Sequence, residues 1–501
     1  MRLFLFLLPI FLLANPTLDE VLNYPKSYYR DFWLTEYLKK AKNEQAENIY
    51  NEITYKKSYH LKLLAKRYPP YKFIYECKHI NKNNWSEYGY KCIVDNGFRL
   101  RDLKNMSDDE IKSLLDYLPA SKIKTEISII FNKNYKKAFQ NLDVFYDIFF
   151  KYTPDIEIPE IYINNIAKDK RFYYLLSLVV RSNKKNIKNS LLNIAYKNIN
   201  EKDKFLLALN AIDLNRNNLA IKILKSKKNK TNQDNFWLYL LTKNTKYAKE
   251  LLDNTRLDFY TLYIYEKFHK NYKIEKVKIF NTAKVKYDID NPLDVIQFYK
   301  DKSKIKDYFK FARELDNKKT KPLKALILDK AFRYTKNYYI MPKYDLNDLN
   351  ISQKALFYAL ARQESRFIPA QTSRSYAIGV MQMMPFLIRS FHPKEDMESF
   401  FTAKVNVKYA KKHMTWLMKN LNDNPLFVSY AYNGGIGFTK RKVLNYFKFK
   451  GEYEPFFSIE MVPYSESREY GKKVLTNYVI YKTLLGEKTT LHKELKKEKK
   501  D

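Results

Sequence analysis

The sequence predicts a mainly α-helical protein, opening with a long N-terminal α-solenoid or superhelix. Three observations predict it. Only nine glycines occur in 501 residues, and none lies between Phe98 and Ile378. Proline is also missing from Glu160 to Asn291. A stretch that long without either breaker is built of helices joined by polar turns. Thirdly, amphipathic runs such as Phe172 to Val180, Leu191 to Tyr196, Phe205 to Ile212 and Leu219 to Leu224 alternate with polar clusters. Those clusters are Ser182-Asn183-Lys184, Asn200-Glu201-Lys202, Asn215-Arg216-Asn217 and 227–235. Short helices in succession bury their apolar faces on one another. No clean repeat period appears, so no named repeat family is supported.

Taken in order, the chain opens with Met1-Arg2, an apolar run from Leu3 to Leu13, and Ala14-Asn15-Pro16. Residues 1–14 read as a secretory signal peptide, too short to span a bilayer. Leu12 is larger than the residue usual two positions before a cut, which leaves an uncleaved anchor as the alternative. No cysteine stands near the cut, so no lipoprotein site is expected, and no later stretch is apolar enough to cross a membrane. From Thr17 to about Leu115 the pattern is helical and rich in Tyr and Lys, broken at Pro25 and Pro69-Pro70. Residues 81–97 read as an ordered loop or a small hairpin. Cys77 and Cys92 are the only cysteines, and in an exported chain the reading is a disulfide. A zinc site with His79, which lacks a fourth ligand, and a pair of buried thiols are the alternatives.

Charge narrows the partners less than its size suggests. Lys+Arg 92 against Asp+Glu 55 leaves +37, which suits nucleic acid, an acidic membrane surface, or a wall carrying carboxylated peptides. The basic residues are scattered through a chain that is also rich in Asn, Ile and Tyr. Compositional drift accounts for the excess equally well.

The residues that carry chemistry lie further on. Leu356 and Leu360 precede Glu364 at one-turn spacing, Asn350 with Gln353 offers a capping box, and the helix should stop before Pro369. Glu364 thus continues an apolar stripe, where loss of hydration favours the protonated carboxyl a general acid needs. No other Asp or Glu occurs from Leu349 to Lys394. The ordinary alternative is a Glu paired with Arg362 or Arg366. Downstream come Ser373 to Gly379 and Val380-Met381-Gln382-Met383-Met384-Pro385. Two further blocks follow, Ala431-Tyr432-Asn433-Gly434-Gly435-Ile436-Gly437 and Glu460 to Tyr470. Together with the Glu364 helix, these blocks resemble the catalytic domain of the soluble lytic murein transglycosylases, a lysozyme-like family, over roughly the last third of the chain.

The resemblance implies an α-superhelix over 15–291, a helical linker domain over 292–337 and a lysozyme-like α-rich catalytic domain over 338–487. Residues 488–501 are expected to be a basic, disordered tail. It also implies lytic cleavage of the MurNAc–GlcNAc bond of peptidoglycan by one carboxyl group, with an anhydro product and neither metal nor cofactor. Most glycosidases need two carboxylates, and around Glu364 only one is local, although Glu460 or Glu466 is not excluded by sequence. Glu364 would act as acid, then base. Ser373 matches a serine that contacts the acetamido group or orients Glu364; a turn-stabilising role and Ser375 are its rivals. Met381 and Gln382 match a Met-Gln pair lining the cleft, while Met383 and Met384 read as core. Tyr432 and Asn433 match an aromatic-Asn pair before a glycine-rich turn, Glu460 a wall-contacting acid and Tyr478 a cleft tyrosine. Arg468 reads as a brace against Glu466 or Glu469. Gly434, Ile368, Ser467 and Ala410 depart from the family pattern without removing a reactive group.

The implied partner is the peptidoglycan glycan strand and the implied compartment the periplasm. Three other readings compete: a hydrolysing muramidase on the same fold, a non-catalytic helical scaffold, and a basic nucleic-acid binder. The export signal and the lack of any nucleic-acid motif argue against the last.

Overall fold

The computed structural model describes residues 15–391, 396–445 and 451–496. The expected signal peptide over 1–14 therefore lies outside the described residues. The chain is a succession of mostly short helices. The only strand pair among the described residues is Glu275–Lys276, parallel to Tyr338–Tyr339. No described helix is long and apolar enough to cross a membrane.

Over 201–267 each helix packs on the next. Glu201–Asp213 lies on Asn217–Lys225, which lies on Asn232–Thr242, then Thr245–Leu252, then Phe259–Lys267. Polar side chains start them: Thr231 caps one by accepting from the Asp234 N–H, and Asp258 another by accepting from the N–H groups of Tyr260 and Thr261. Without glycine, other residues take the left-handed conformations at the turns: Asn215 (φ 55°), Lys243 (φ 56°) and His269 (φ 50°). Asn tolerates this conformation best among non-glycine residues. The run 191–196, predicted as helix, is two 3₁₀ turns, Leu191–Asn193 and Tyr196–Asn198, because Ile194 between them is extended.

The N-terminal helices fold back onto the C-terminal part of the chain. The Tyr29 hydroxyl donates to Glu398 at 3.0 Å, and His60 Nε2 sits between Thr35 Oγ1 (3.2 Å) and the Tyr376 hydroxyl (3.1 Å). Phe401 meets Tyr29 edge-on, and Arg389 pairs with Glu36. Residues 287–328 enclose a separate small core around Phe298, Phe311, Leu323 and Ile327, into which Ile368 and Ala370 insert. The segment just after Glu364 is thereby held by the helices of residues 292–331.

Residues 81–97 contain a 3₁₀ turn, Trp85–Glu87, and a helix, Tyr90–Asn96, rather than a hairpin. Cys77 and Cys92 form a disulfide with Cα atoms 5.2 Å apart, at a sequence separation of 15. Closing a loop of that length stabilises the fold by about 3 kcal/mol in the chain-entropy account. Replacing both cysteines by serine is therefore expected to lower the unfolding midpoint, and reductant should lower the parent's midpoint without changing the variant's.

The expected tail from 488 needs correcting. Leu491–Lys496 is a helix whose Leu491 and Leu495 are buried, the Leu491 N–H donates to Glu266 at 2.6 Å, and Lys482 pairs with Glu494 at 3.5 Å. The two leucines are one turn apart, so even in a Lys/Glu-rich background they bury together.

Candidate active site

Glu364 is the last residue of the helix Ile351–Glu364. Asn350 caps this helix, accepting from the Gln353 N–H at 2.9 Å while the Gln353 side chain accepts from the Asn350 N–H at 3.0 Å. The helix does not carry a single apolar stripe. Every residue from Ala355 to Arg362 is buried, because helix Ser465–Leu484 runs along it and further helices close around it. Helix Pro425–Gly434 crosses the same long helix at Gly471, where a Cβ would stand 2.3 Å from the Tyr430 ring.

Both arginines beside Glu364 are occupied elsewhere. Arg362 donates to the Tyr338 carbonyl at 2.5 Å and pairs with Asp329 at 3.4 Å, and Arg366 pairs with Asp329 at 2.7 Å. The ordinary alternative of a Glu–Arg pair is thereby removed. Glu364 instead accepts a hydrogen bond from the Tyr470 hydroxyl at 2.5 Å. Burial pushes its carboxyl up to about 7, the Tyr470 hydrogen bond works against this, and the Glu466 charge adds to it. The side chain is half-buried, so its surroundings are dry while an approach from solvent remains. A proton can be given and taken back near neutral pH.

Tyr470 is the functional candidate that sequence reasoning missed. The sequence marks its block, but the resemblance points to Tyr478 as the cleft tyrosine. Tyr478 lies two helical turns further on, about 12 Å along the axis, buried near Ser352 and Lys482 at the other end of the Glu364 helix.

The other expected site residues divide. Tyr432 is half-buried and donates to the Met381 carbonyl at 2.8 Å, not to Glu364, although it feels that carboxylate's charge. Asn433 accepts from Ser467 at 2.7 Å, which ties the glycine-rich turn to the Tyr470 helix. Met381 is fully buried, and its carbonyl accepts from Tyr432. The Gln382 amide donates to the carbonyls of Gly379 (2.8 Å) and Gln371 (3.1 Å), so it braces a loop rather than facing a sugar. Ser373 Oγ accepts from the N–H groups of Ser375 (3.2 Å) and Ala377 (3.0 Å), which is the turn-stabilising alternative.

Glu460 is the clearest correction. It is buried, accepts from the Tyr260 hydroxyl at 2.5 Å and pairs with Lys472 at 3.2 Å. These partners hold its carboxyl below the usual range despite burial. It is buried between residues of the N-terminal helices and the C-terminal region rather than exposed for wall contact; Arg181 donates to its carbonyl as well. Arg468 binds the Val462 carbonyl at 2.7 Å and approaches Glu469 at 3.7 Å, which leaves Glu466 exposed and unbraced.

The loop after Glu364 is conformationally costly. Arg366, Phe367, Tyr376 and Gln382 all have left-handed φ, a conformation costing on the order of 1 kcal/mol or more for each such residue. Asn406 holds the loop, donating to the carbonyls of Ile378 (2.9 Å) and Phe400 (3.2 Å) and accepting from the Met381 N–H (2.9 Å). Gly379 (φ 86°) lies directly against it: a Cβ there would stand 2.1 Å from Asn406 Nδ2 and 2.8 Å from the Phe400 carbonyl. Gly379→Ala is therefore expected to destabilise by roughly 2–3 kcal/mol or more, read as a lower denaturant midpoint.

No group of three or more His, Cys, Asp or Glu residues arranged to hold a metal occurs among the described residues. A cavity of about 440 Å³ adjoins the helix end, with Gln363, Arg366, Tyr260 and Lys472 in its wall, but Glu364 is not part of that wall.

Residues 347–454 match the family model described as the transglycosylase SLT domain. Over this region, about a fifth of the chain, the sequence is similar to the transglycosylase SLT domain. The matched region includes Glu364, the Met381–Gln382 loop and Tyr432–Asn433, and ends before Tyr470. The soluble lytic murein transglycosylases of Escherichia coli K12 and Salmonella typhimurium are each 29% identical over 142 and 143 residues, covering 26% of this chain and 21% of theirs. The match thus spans about a fifth of these curated relatives. Among solved structures, an inactive mutant of the lytic transglycosylase Slt from Pseudomonas aeruginosa aligns over 94% of both chains at 15% identity, with a TM-score of 0.49. The 70-kDa soluble lytic transglycosylase in complex with bulgecin A aligns over 94% of this chain and 91% of its own, at 14% identity and a TM-score of 0.44.

Proposed function

We propose that the chain is an exported, periplasmic lytic transglycosylase of peptidoglycan, with the superhelix over 15–291, the linker over 292–337 and the catalytic domain over 338–487. One observation carries the reading. Glu364 is a half-buried carboxyl raised to about 7, held by a neutral tyrosine donor and with no cation paired to it. In the reaction it gives its proton to the oxygen leaving the muramic acid C1, and that bond breaks. The substrate's own acetamido oxygen stabilises the cationic carbon. Glu364, now a carboxylate, removes the proton from the muramic acid 6-hydroxyl, whose oxygen closes onto C1. The enzyme returns to its starting protonation state and no water is consumed.

The Tyr470 hydroxyl supports the middle of this cycle, because a hydrogen bond to the carboxylate form steadies it between the two proton transfers. A second reading, hydrolysis, has one observation in its favour: Glu466 is near enough for its charge to act on Glu364, and a second carboxylate is what a hydrolase uses to activate water. The two readings differ in the ends they leave. Purified sacculi digested with the full chain should release muropeptides whose muramic ends resist borohydride reduction; reducible ends would transfer the proposal to hydrolysis.

A further inference from the structure

A cavity of about 590 Å³ lies where three distant parts of the chain meet. Its walls are the N-terminal arm around Tyr28, the linker helix Pro292–Lys304, and residues 370–374 of the loop that follows Glu364. No carboxylate lines it, while Lys26, Lys300 and Arg374 do. All three are exposed, and none is joined in an ion pair to a carboxylate among the described residues. The acids behind the arm are already engaged: Asp31 accepts from the N–H groups of Thr54 and Tyr55, and Glu398 from the Tyr29 hydroxyl. The remaining wall is aromatic and polar, with Tyr28, Tyr29, Tyr55 and Tyr299 among its residues.

A cavity of this size suits a ligand of a few rings or residues. Three unpaired cations without an opposing acid select for negative charge, and tyrosine faces suit the C–H surfaces of a sugar or the planes of peptide bonds. Gln371 links the cavity to the catalytic loop. Its side-chain oxygen accepts from the Tyr299 hydroxyl at 3.1 Å, and its carbonyl accepts from the Gly379 N–H at 3.0 Å and the Gln382 amide at 3.1 Å.

We propose that this cavity is a second binding site, distinct from the site at Glu364, for a carboxylate-bearing glycopeptide: muramic acid with its peptide attached. The inference rests on the peptidoglycan reading for the identity of the ligand. Occupancy would order Tyr299 and Gln371, and through them the strained loop beside the catalytic helix.

The test is isothermal titration of the full chain carrying Glu364→Gln, so that nothing is cleaved. The probes are a disaccharide-tetrapeptide muropeptide, neutral tetra-N-acetylchitotetraose and inorganic phosphate. Two muropeptide binding events are expected, one of them about tenfold weaker or lost on adding Lys300→Glu with Arg374→Glu. Chitotetraose should give one event, unaffected by those changes. Lys300→Gln with Arg374→Gln, which only removes charge from exposed side chains, should give a smaller loss in the same event and guards against misfolding of the reversed pair. A single muropeptide event in the parent, an event indifferent to both pairs, or displacement by phosphate at equal concentration would each overturn the proposal. Because binding is read without turnover, a chain that fails to cut sacculi yet keeps the second event would refute the catalytic reading and leave this one standing.

Discussion

Glu364→Gln is expected to reduce release of soluble muropeptides from sacculi by about 10³-fold, within the range that positioned acid–base groups contribute. The amide is nearly the same shape and its oxygen can still accept from Tyr470, so the loss is chemical rather than structural. Stability should move the other way. The Glu364 carboxyl is raised from 4.5 to about 7 in the folded chain. Between those values the folded state keeps a proton that the unfolded state has released, so this group's contribution falls as pH rises from about 4.5 to 7. Gln does not titrate and removes that loss. The variant should therefore unfold later than the parent at pH 7.5, by about 1–2 kcal/mol once solvent access to the half-buried side chain is allowed for, and the gap should close towards pH 4.5. A variant less stable than the parent at pH 7.5 would show that the carboxyl is held by a contact the account lacks.

Tyr470→Phe is expected to slow turnover by about 10- to 100-fold, the loss associated with a hydrogen bond to a charged group. This bond counteracts the upward push of burial, so its removal sends the carboxyl higher still. The rate depends on the protonated form for the first proton transfer, and its alkaline limb should move to higher pH in the variant while the maximum drops. A lower maximum with an unmoved limb would mean that Tyr470 positions the sugar rather than tuning the acid. Tyr432→Phe is the useful contrast. Its hydroxyl is spent on the Met381 carbonyl, so it should change stability more than the position of the limb.

What was legible in the sequence was local. Asn350 and Gln353 capping the helix and Glu364 near its end are relations within a few turns, and the structure has both; the run without acids around Glu364 did not reveal Glu466, whose charge acts on it from another helix. What was not legible depends on partners far away in the chain. Glu460 reads as an exposed acid until Tyr260, 200 residues earlier, is found donating to it. Tyr478 and Tyr470 share a helix, and choosing between them needs the crossing at Gly471, which no periodicity encodes. Met381 and Gln382 carry suitable side chains for a cleft, yet the tight loop turns one into the core and spends the other on its own carbonyls. The same limit applies to Leu491 and Leu495, whose burial required a surface supplied by Phe259–Lys267.

Whether oxygen from water enters the product tests the central claim most directly. Purified sacculi digested in ¹⁸O-labelled water should yield muramic ends carrying no label, since the 6-hydroxyl supplies the oxygen that replaces the leaving sugar. Label at the muramic C1 would mean that water attacked there, and a lone carboxyl at position 364 would no longer account for the chemistry.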